Sequence, residues 1–266
     1  MEKYDVKFKK KFGQNFLKDD GIVKKIVDCA NITSRSLVLE VGPGGAIMTR
    51  ELARNADNVL AYEIDSSLKG EIEKRLVDAD NVEVVYKDFL QADIATDISS
   101  YDYDNLYFVS NVPYYITTPI ILKLIDSKLK FKKIVMMVQK EVGDRFASLC
   151  GNKEYGSISV ILQYFFDVKL EFFVSRNEFV PVPNVDSVII SFTEKEDKLH
   201  VKNFEFFQNL VKDSFRFKRK TIKNNLGKYN LQVVENVLLE HNLSLKSRAE
   251  ELDLSVFVDL ANRLVD

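Results

Sequence analysis

Apolar residues recur along this chain in two rhythms, and the change from one to the other marks its organisation. Behind Asp19 and Asp20, positions 20–30 place Ile22, Val23, Ile26, Val27 and Ala30 on one face, the spacing of an amphipathic helix with an acidic start. Short, nearly continuous apolar runs follow at 37–41, 58–64, 81–86, 106–110 and 133–139 and read as strands. Helical patterns at 47–55 and 66–76 lie between them. A third helix opens at Thr118-Pro119 with Ile120, Ile121, Leu124 and Ile125 inward, its proline in the first turn, where a missing N–H costs nothing. Such alternation predicts a mostly parallel sheet covered on both faces. Two further runs, 168–174 and 187–193, flank Pro181-Val182-Pro183 and predict a hairpin-like pair. After about residue 197 helical periodicity takes over, at 204–215, 232–240 and 255–264, and Ser247-Arg248-Ala249-Glu250 has capping-box spacing. The expected fold is α/β, a doubly wound sheet in 1–197 followed by a small helical domain in 198–266.

Composition narrows the class. With 46% apolar and 29% charged residues over 266 positions, the chain has ample material for a core. No run approaches the roughly 20 apolar residues of a membrane span, and the first residues lack a signal peptide's apolar centre. A cytoplasmic protein without membrane contact is expected. Cys29 and Cys150 form neither a disulfide framework nor a metal spacing, and His200 and His241 stand far apart. No metal and no histidine-based triad are therefore expected. The near balance of 38 Lys+Arg against 40 Asp+Glu conceals segregation. Residues 3–18 carry six lysines against Asp5, and residues 198–230 carry nine basic groups against Glu205 and Asp213, whereas 78–104 hold eight acids against Lys87. Two basic segments on a neutral chain can grip a polyanion, although charge runs are most often solvated surface.

Candidate chemistry gathers at the strand ends. Glu40-Val41-Gly42-Pro43-Gly44-Gly45 follows the first strand and precedes a helix, where glycines let backbone approach a ligand. A dinucleotide fingerprint would need glycine at 47, but Ile47 stands there, and a purely structural turn fits the glycines equally well. Glu63 closes the second strand, 21 residues after Gly42, in position to accept ribose hydroxyls. Asp88 closes the third, where a carboxylate can accept an adenine amine, and Asn111 closes the fourth. Singly, each acid reads as a helix cap; jointly they favour a nucleoside ligand. Ser110-Asn111-Val112-Pro113-Tyr114-Tyr115 adds a side-chain acceptor, carbonyls of fixed direction and a flat ring, a set suited to a planar base bearing an NH2 group. Alone, it reads as a rigid turn with two core tyrosines. Phe215 and Phe217, interleaved with basic residues, are assigned to the core.

The motif set resembles the rRNA adenine N6-dimethyltransferases. Lys11-Phe12-Gly13-Gln14-Asn15-Phe16-Leu17 is similar to that family's first motif, Glu40–Gly44 to its glycine motif, Asn111–Tyr114 to its catalytic loop, and Pro181-Val182-Pro183-Asn184-Val185-Asp186-Ser187 to its late motif. The resemblance implies a Rossmann-like class I methyltransferase sheet with a small C-terminal helical domain, and S-adenosylmethionine as methyl donor. It assigns Gln14, Asn15 and Leu17 to a lid over the donor, Gly42 and Gly44 to its methionine part, Glu63 to the ribose and Asp88 to the adenine amine. Asn111 would bridge donor and target base, with Pro113 and Tyr114 completing the catalytic set. Lys9, Lys10, Lys11, Lys212, Arg216, Lys218, Arg219, Lys220 and Lys223 would bind RNA.

Gly13, Val185-Asp186-Ser187, the basic run 217–225 and Arg248-Ala249-Glu250 resemble the small-subunit (KsgA/RsmA) branch, which dimethylates two adjacent adenosines near the 3′ end of small-subunit rRNA. That rRNA is the expected partner, and the chain is expected to act as a monomer. The macrolide-resistance (Erm) branch, a non-catalytic ribosome-assembly factor and a small-molecule methyltransferase are the alternatives. Two departures stand out: Ala46 where the family usually has glycine, with Gly45 where a larger residue is common, and Val112 for the usual leucine or isoleucine.

Overall fold

The computed structural model describes residues 16–265; Lys9, Lys10, Lys11, Gln14 and Asn15 lie outside that range. The described chain divides into two compact units, one running through Gly143 and resuming over Lys169–Glu194, the other comprising Asp144–Val168 and Lys195 onward.

The first unit is built on a seven-stranded sheet of β1 (Ser36–Val41), β2 (Asn58–Tyr62), β3 (Val82–Val85), β4 (Asn105–Asn111), β5 (Phe131–Gln139), β6 (Phe166–Val174, within this unit from Lys169 onward) and β7 (Ser187–Glu194). Their spatial order is β3-β2-β1-β4-β5-β7-β6. The first five are parallel, with Leu39 of β1 aligned with Leu60 of β2 on one side and Phe108 of β4 on the other, and β7 runs antiparallel to β5. Every residue of β1 is buried, which explains its continuous apolar run: a parallel strand covered on both faces has no solvent side on which to alternate. Val38, Tyr107, Val109, Val135 and Met137 share one face, packed under Val23, Ile26 and Val27 of the helix Asp20–Ala30. That helix starts where the sequence places it, with Asp19 accepting the Gly21 N–H at 2.8 Å. Chain order reverses between β1 and β4, so the crevice at their carboxyl ends is the place where open α/β sheets bind ligands.

The runs 168–174 and 187–193 do become adjacent strands, but no tight hairpin joins them. Within their connection Phe179–Val180 pairs antiparallel with Phe16–Leu17.

The second unit packs the helices Ser157–Phe165, Phe204–Ser214, Ile222–Asn225, Leu231–Glu240 and Leu254–Leu264 around Phe207, Leu210, Val237, Phe257 and Leu260, none of them measurably exposed. Asn203, Asn230 and Asp253 cap three of these helices through side-chain oxygens. A single boundary after residue 197 does not separate Asp144–Val168 from the sheet unit. Its helix Ser157–Phe165 sends Tyr164 and Phe165 against Phe204 at centroid distances of 5.3 and 5.2 Å, a packing choice that periodicity does not report. The capping box also shifts by one residue. Glu251 rather than Glu250 reaches back, its Oε1 accepting the Arg248 N–H at 2.6 Å. Among the described residues no helix is long and apolar enough to cross a membrane.

Candidate functional site

The carboxyl ends of β1 to β4 converge on a cavity of ≈ 330 Å³, within the usual size range of small-molecule sites. Leu17, Gly42, Gly44, Glu63, Asp88, Asn111, Pro113 and Tyr114, all assigned a role from sequence, line it.

The glycine loop forms its floor. Gly42 and Gly44 have φ of +75° and +53°, left-handed conformations that strain any residue with a Cβ. The turn does not end at the glycines: Ala46, fully buried, holds φ +55° immediately before the helix Ile47–Asn55. Alanine thus occupies the left-handed position glycine favours, at a cost of about 1 kcal/mol. The departure noted in the sequence is absorbed without displacing the loop from the cavity.

The acids differ in how they are held. Glu63, 4% exposed, accepts the Gly44 N–H at 3.1 Å through Oε2 and the Asp65 N–H at 2.9 Å through Oε1. Burial raises its pKa while those two N–H bonds pull it down. Each carboxylate oxygen has a second lone pair, so an anchored Glu63 can still accept hydroxyls from a ligand. Asp88 is a cap, its Oδ1 accepting the Leu90 N–H at 2.9 Å, and it also lines the cavity. Glu40, 2% exposed, has no hydrogen-bond partner for Oε2. Burial pushes its carboxyl up to about 8, with Thr49 acting the other way and Glu63 adding repulsion.

The wall is the segment after β4. Ser110 donates to the Val41 carbonyl at 2.7 Å, tying the end of β4 to β1, and Asn111 stands opposite Met137 of β5. The Pro113 carbonyl accepts the Ile116 N–H at 3.1 Å, which fixes its direction. The Tyr114 hydroxyl meets Ser187 Oγ at 2.6 Å, and Thr117 donates to the Tyr114 carbonyl at 3.2 Å. Burial raises the Tyr114 pKa, against the Ser187 hydrogen bond, which lowers it. The two tyrosines are not a core pair: Tyr114 lines the cavity and Tyr115 is 58% exposed.

Sequence reasoning passed over several lining residues: Tyr62, Ile64, Lys87 and Phe89. Their signal was adjacency, since each flanks Glu63 or Asp88. Lys87 Nζ donates to Asp97 at 2.6 Å and Tyr62 donates to the same carboxylate at 3.1 Å, a network that braces the loop beside Asp88.

In the helical unit, Lys212, Arg216, Lys218, Arg219, Lys220 and Lys223 are all exposed, and the Lys218 ammonium donates to the Lys153 carbonyl. Phe215 is half-buried rather than fully in the core, its ring 5.8 Å from both Tyr155 and Phe257. Phe217 is not core: it is 56% exposed, because the helix Phe204–Ser214 has ended before it and helical spacing no longer directs it inward. Among the described residues no cluster of three or more His, Cys, Asp or Glu could hold a metal.

A family model described as ribosomal RNA adenine dimethylase matches residues 5–266. Proteins named ribosomal RNA small subunit methyltransferase A from Bacillus licheniformis and Streptococcus thermophilus are each 43% identical over 99% of this chain and 94% of their own. Among solved structures, a dimethyladenosine transferase from Plasmodium falciparum superposes with a TM-score of 0.76 at 30% identity, covering 92% of this chain and 95% of its own. The 23S rRNA methyltransferase ErmE superposes with a TM-score of 0.74 at 27% identity, covering 94% and 100%.

Proposed function

The chain belongs to the ribosomal RNA adenine dimethylase family and is an rRNA adenine dimethyltransferase; on that premise we propose that it uses S-adenosylmethionine to dimethylate N6 of two adjacent adenosines near the 3′ end of small-subunit (16S) rRNA. It does so in the cytoplasm, as a monomer, as a step in ribosome biogenesis. One observation carries the reading. The Asn111-Val112-Pro113-Tyr114 segment opens on the same cavity that Glu63 and Asp88 enter from neighbouring strands, so groups suited to an amine-bearing base and groups suited to a nucleoside share one space. The small-subunit target follows the naming of the 43% identical relatives.

The residues present fit the methyl donor. Backbone at Gly42 and Gly44 is bare of side chains, the carboxylate of Glu63 is anchored for hydroxyls, and Asp88 keeps one oxygen clear of its cap. Glu40 lines the same cavity, its Oε2 buried without a hydrogen-bond partner. Gln14, Asn15 and Leu17 would close over the donor, with Gly42 and Gly44 at its methionine part, Glu63 at the ribose and Asp88 at the adenine amine. Bound there, S-adenosylmethionine supplies an electrophilic methyl group.

The chain's own residues solve the other half of the problem, the weak nucleophilicity of adenine N6. Its lone pair is delocalised into the ring. Asn111 Oδ1 and the Pro113 carbonyl accept the two N–H protons of the target amine, turning the nitrogen out of conjugation, while Tyr114 stacks on the base. The amine proton becomes acidic only after transfer, so no strong base is required. Catalysis is positioning, which in well-oriented systems supplies roughly 7–11 kcal/mol. Lys9, Lys10 and Lys11 of the N-terminal arm, with Lys212, Arg216, Lys218, Arg219, Lys220 and Lys223, grip phosphates and offset the few kcal/mol needed to unstack the target base.

The test is methyl transfer from radiolabelled S-adenosylmethionine to unmethylated small and large ribosomal subunits, with the label mapped. Label is expected on paired small-subunit adenosines as N6-dimethyladenine. Label on a large-subunit adenosine would reassign the target. No label on either subunit, despite tight binding, would leave an assembly factor. Asn111→Ala is expected to abolish transfer while RNA affinity stays within about twofold, since Asn111 makes none of the phosphate contacts that dominate binding; joint loss of both would mark Asn111 as structural.

A further inference from the structure

Phe217 is an aromatic side chain of the helical unit that neither core packing nor charge explains. It is 56% exposed, although apolar surface of that size costs free energy in water. It is also held in place. Asn225, only 9% exposed, donates from Nδ2 to the carbonyls of Ser214 at 2.7 Å and Phe217 at 3.3 Å, and its Oδ1 accepts the Phe217 N–H at 3.2 Å. The Lys220 N–H donates to the Phe217 carbonyl at 2.8 Å, closing a tight turn. Both polar groups of the Phe217 backbone are therefore fixed, and the turn displays the ring from a rigid base.

The surroundings are cationic. The Arg216 guanidinium sits 5.5 Å from the ring centroid, and exposed Lys218, Arg219 and Lys220 follow directly in sequence. An aromatic face set among cations is the arrangement by which proteins hold single-stranded nucleic acid: the charges track phosphates while a base stacks on the ring. A protein partner would leave those cations facing no acidic complement of known position; a polyanion with flat bases satisfies both features at once.

We propose that Phe217 is a base-stacking platform that receives an unpaired nucleotide of the RNA, away from the reacting adenosine, while Arg219 and Lys220 hold the adjoining phosphates. This rests on the reading of the protein as an RNA methyltransferase. Stacking carries no net charge, so it separates from phosphate contacts by its salt dependence: losing a stack weakens binding equally at all salt concentrations, whereas losing a cation flattens the dependence.

The experiment measures full-length protein binding to unmethylated small-subunit rRNA and to a short oligoribonucleotide carrying 2-aminopurine, by anisotropy and quenching across a salt series. Phe217→Ala is expected to weaken binding about tenfold, to leave the slope of log Kd against log salt unchanged and to reduce 2-aminopurine quenching. Phe217→Trp should restore both, and Lys220→Ala should reduce the slope by about one. Because the ring is exposed, melting temperatures should not move. Affinity and quenching of Phe217→Ala equal to wild type would overturn the platform alone. A wild-type protein showing no salt-dependent RNA binding would overturn the underlying reading and the platform with it.

Discussion

Glu40 offers the sharpest physical test of the site. It is 2% exposed, its Oε2 lacks a partner, and burial raises its carboxyl from an ordinary 4.5 to about 8. Between those values the folded protein retains a proton that the unfolded chain has released. Folding stability contributed by the neutral carboxyl is therefore fully present below the unfolded pKa and is lost as pH rises through the folded one. The loss is about 1.4 kcal/mol per pH unit, accumulating to about 5 kcal/mol across the window. Glu40→Gln keeps the shape and removes the ionisation. Its stability relative to wild type should rise with pH at about 1.4 kcal/mol per unit between the two pKa values, then level off above the folded one. Urea unfolding of both proteins, followed by far-UV circular dichroism from about pH 5 to about pH 9, gives that difference directly. Slopes from other titrating groups are common to the two proteins and cancel. A stability difference independent of pH would refute the argument, since Glu40 would then ionise normally inside the fold.

Two further predictions concern the supports of the cavity. Glu63→Ala strips the acceptor from two buried N–H groups, those of Gly44 and Asp65, and is expected to cost roughly 2–3 kcal/mol and to lower the melting temperature; calorimetry with S-adenosylhomocysteine should show weakened binding, and undiminished affinity would remove Glu63 from the site. Tyr114→Phe and Ser187→Ala each leave one hydroxyl without its 2.6 Å partner, whereas the double variant leaves none, so the double should lose less stability than the singles combined. Strict additivity in thermal unfolding would show that this bond is not made in solution.

Much of the framework was written locally. Continuous apolar strands, a glycine turn after the first of them and polar residues closing the next three can each be read from a few consecutive positions, because strand burial and turn conformation depend on near neighbours in sequence. That is why Gly42, Gly44, Glu63, Asp88, Asn111, Pro113 and Tyr114 could be singled out, and why all of them line one cavity. What depended on distance in the chain was not legible. Ser187 meets Tyr114 across 73 residues, and nothing within either segment announces the other. Asp144–Val168 groups with the helices beyond Lys195 through aromatic packing that no periodicity encodes. Phe217 has the spacing of a core residue, yet its helix stops three residues earlier and leaves the ring in solvent. By itself the sequence determined which backbone conformations and strand ends exist, since propensity and patterning act over a few residues. Only the tertiary structure decided which groups meet and which protons they keep, since contacts and the dielectric around Glu40 come from chain segments brought together by folding.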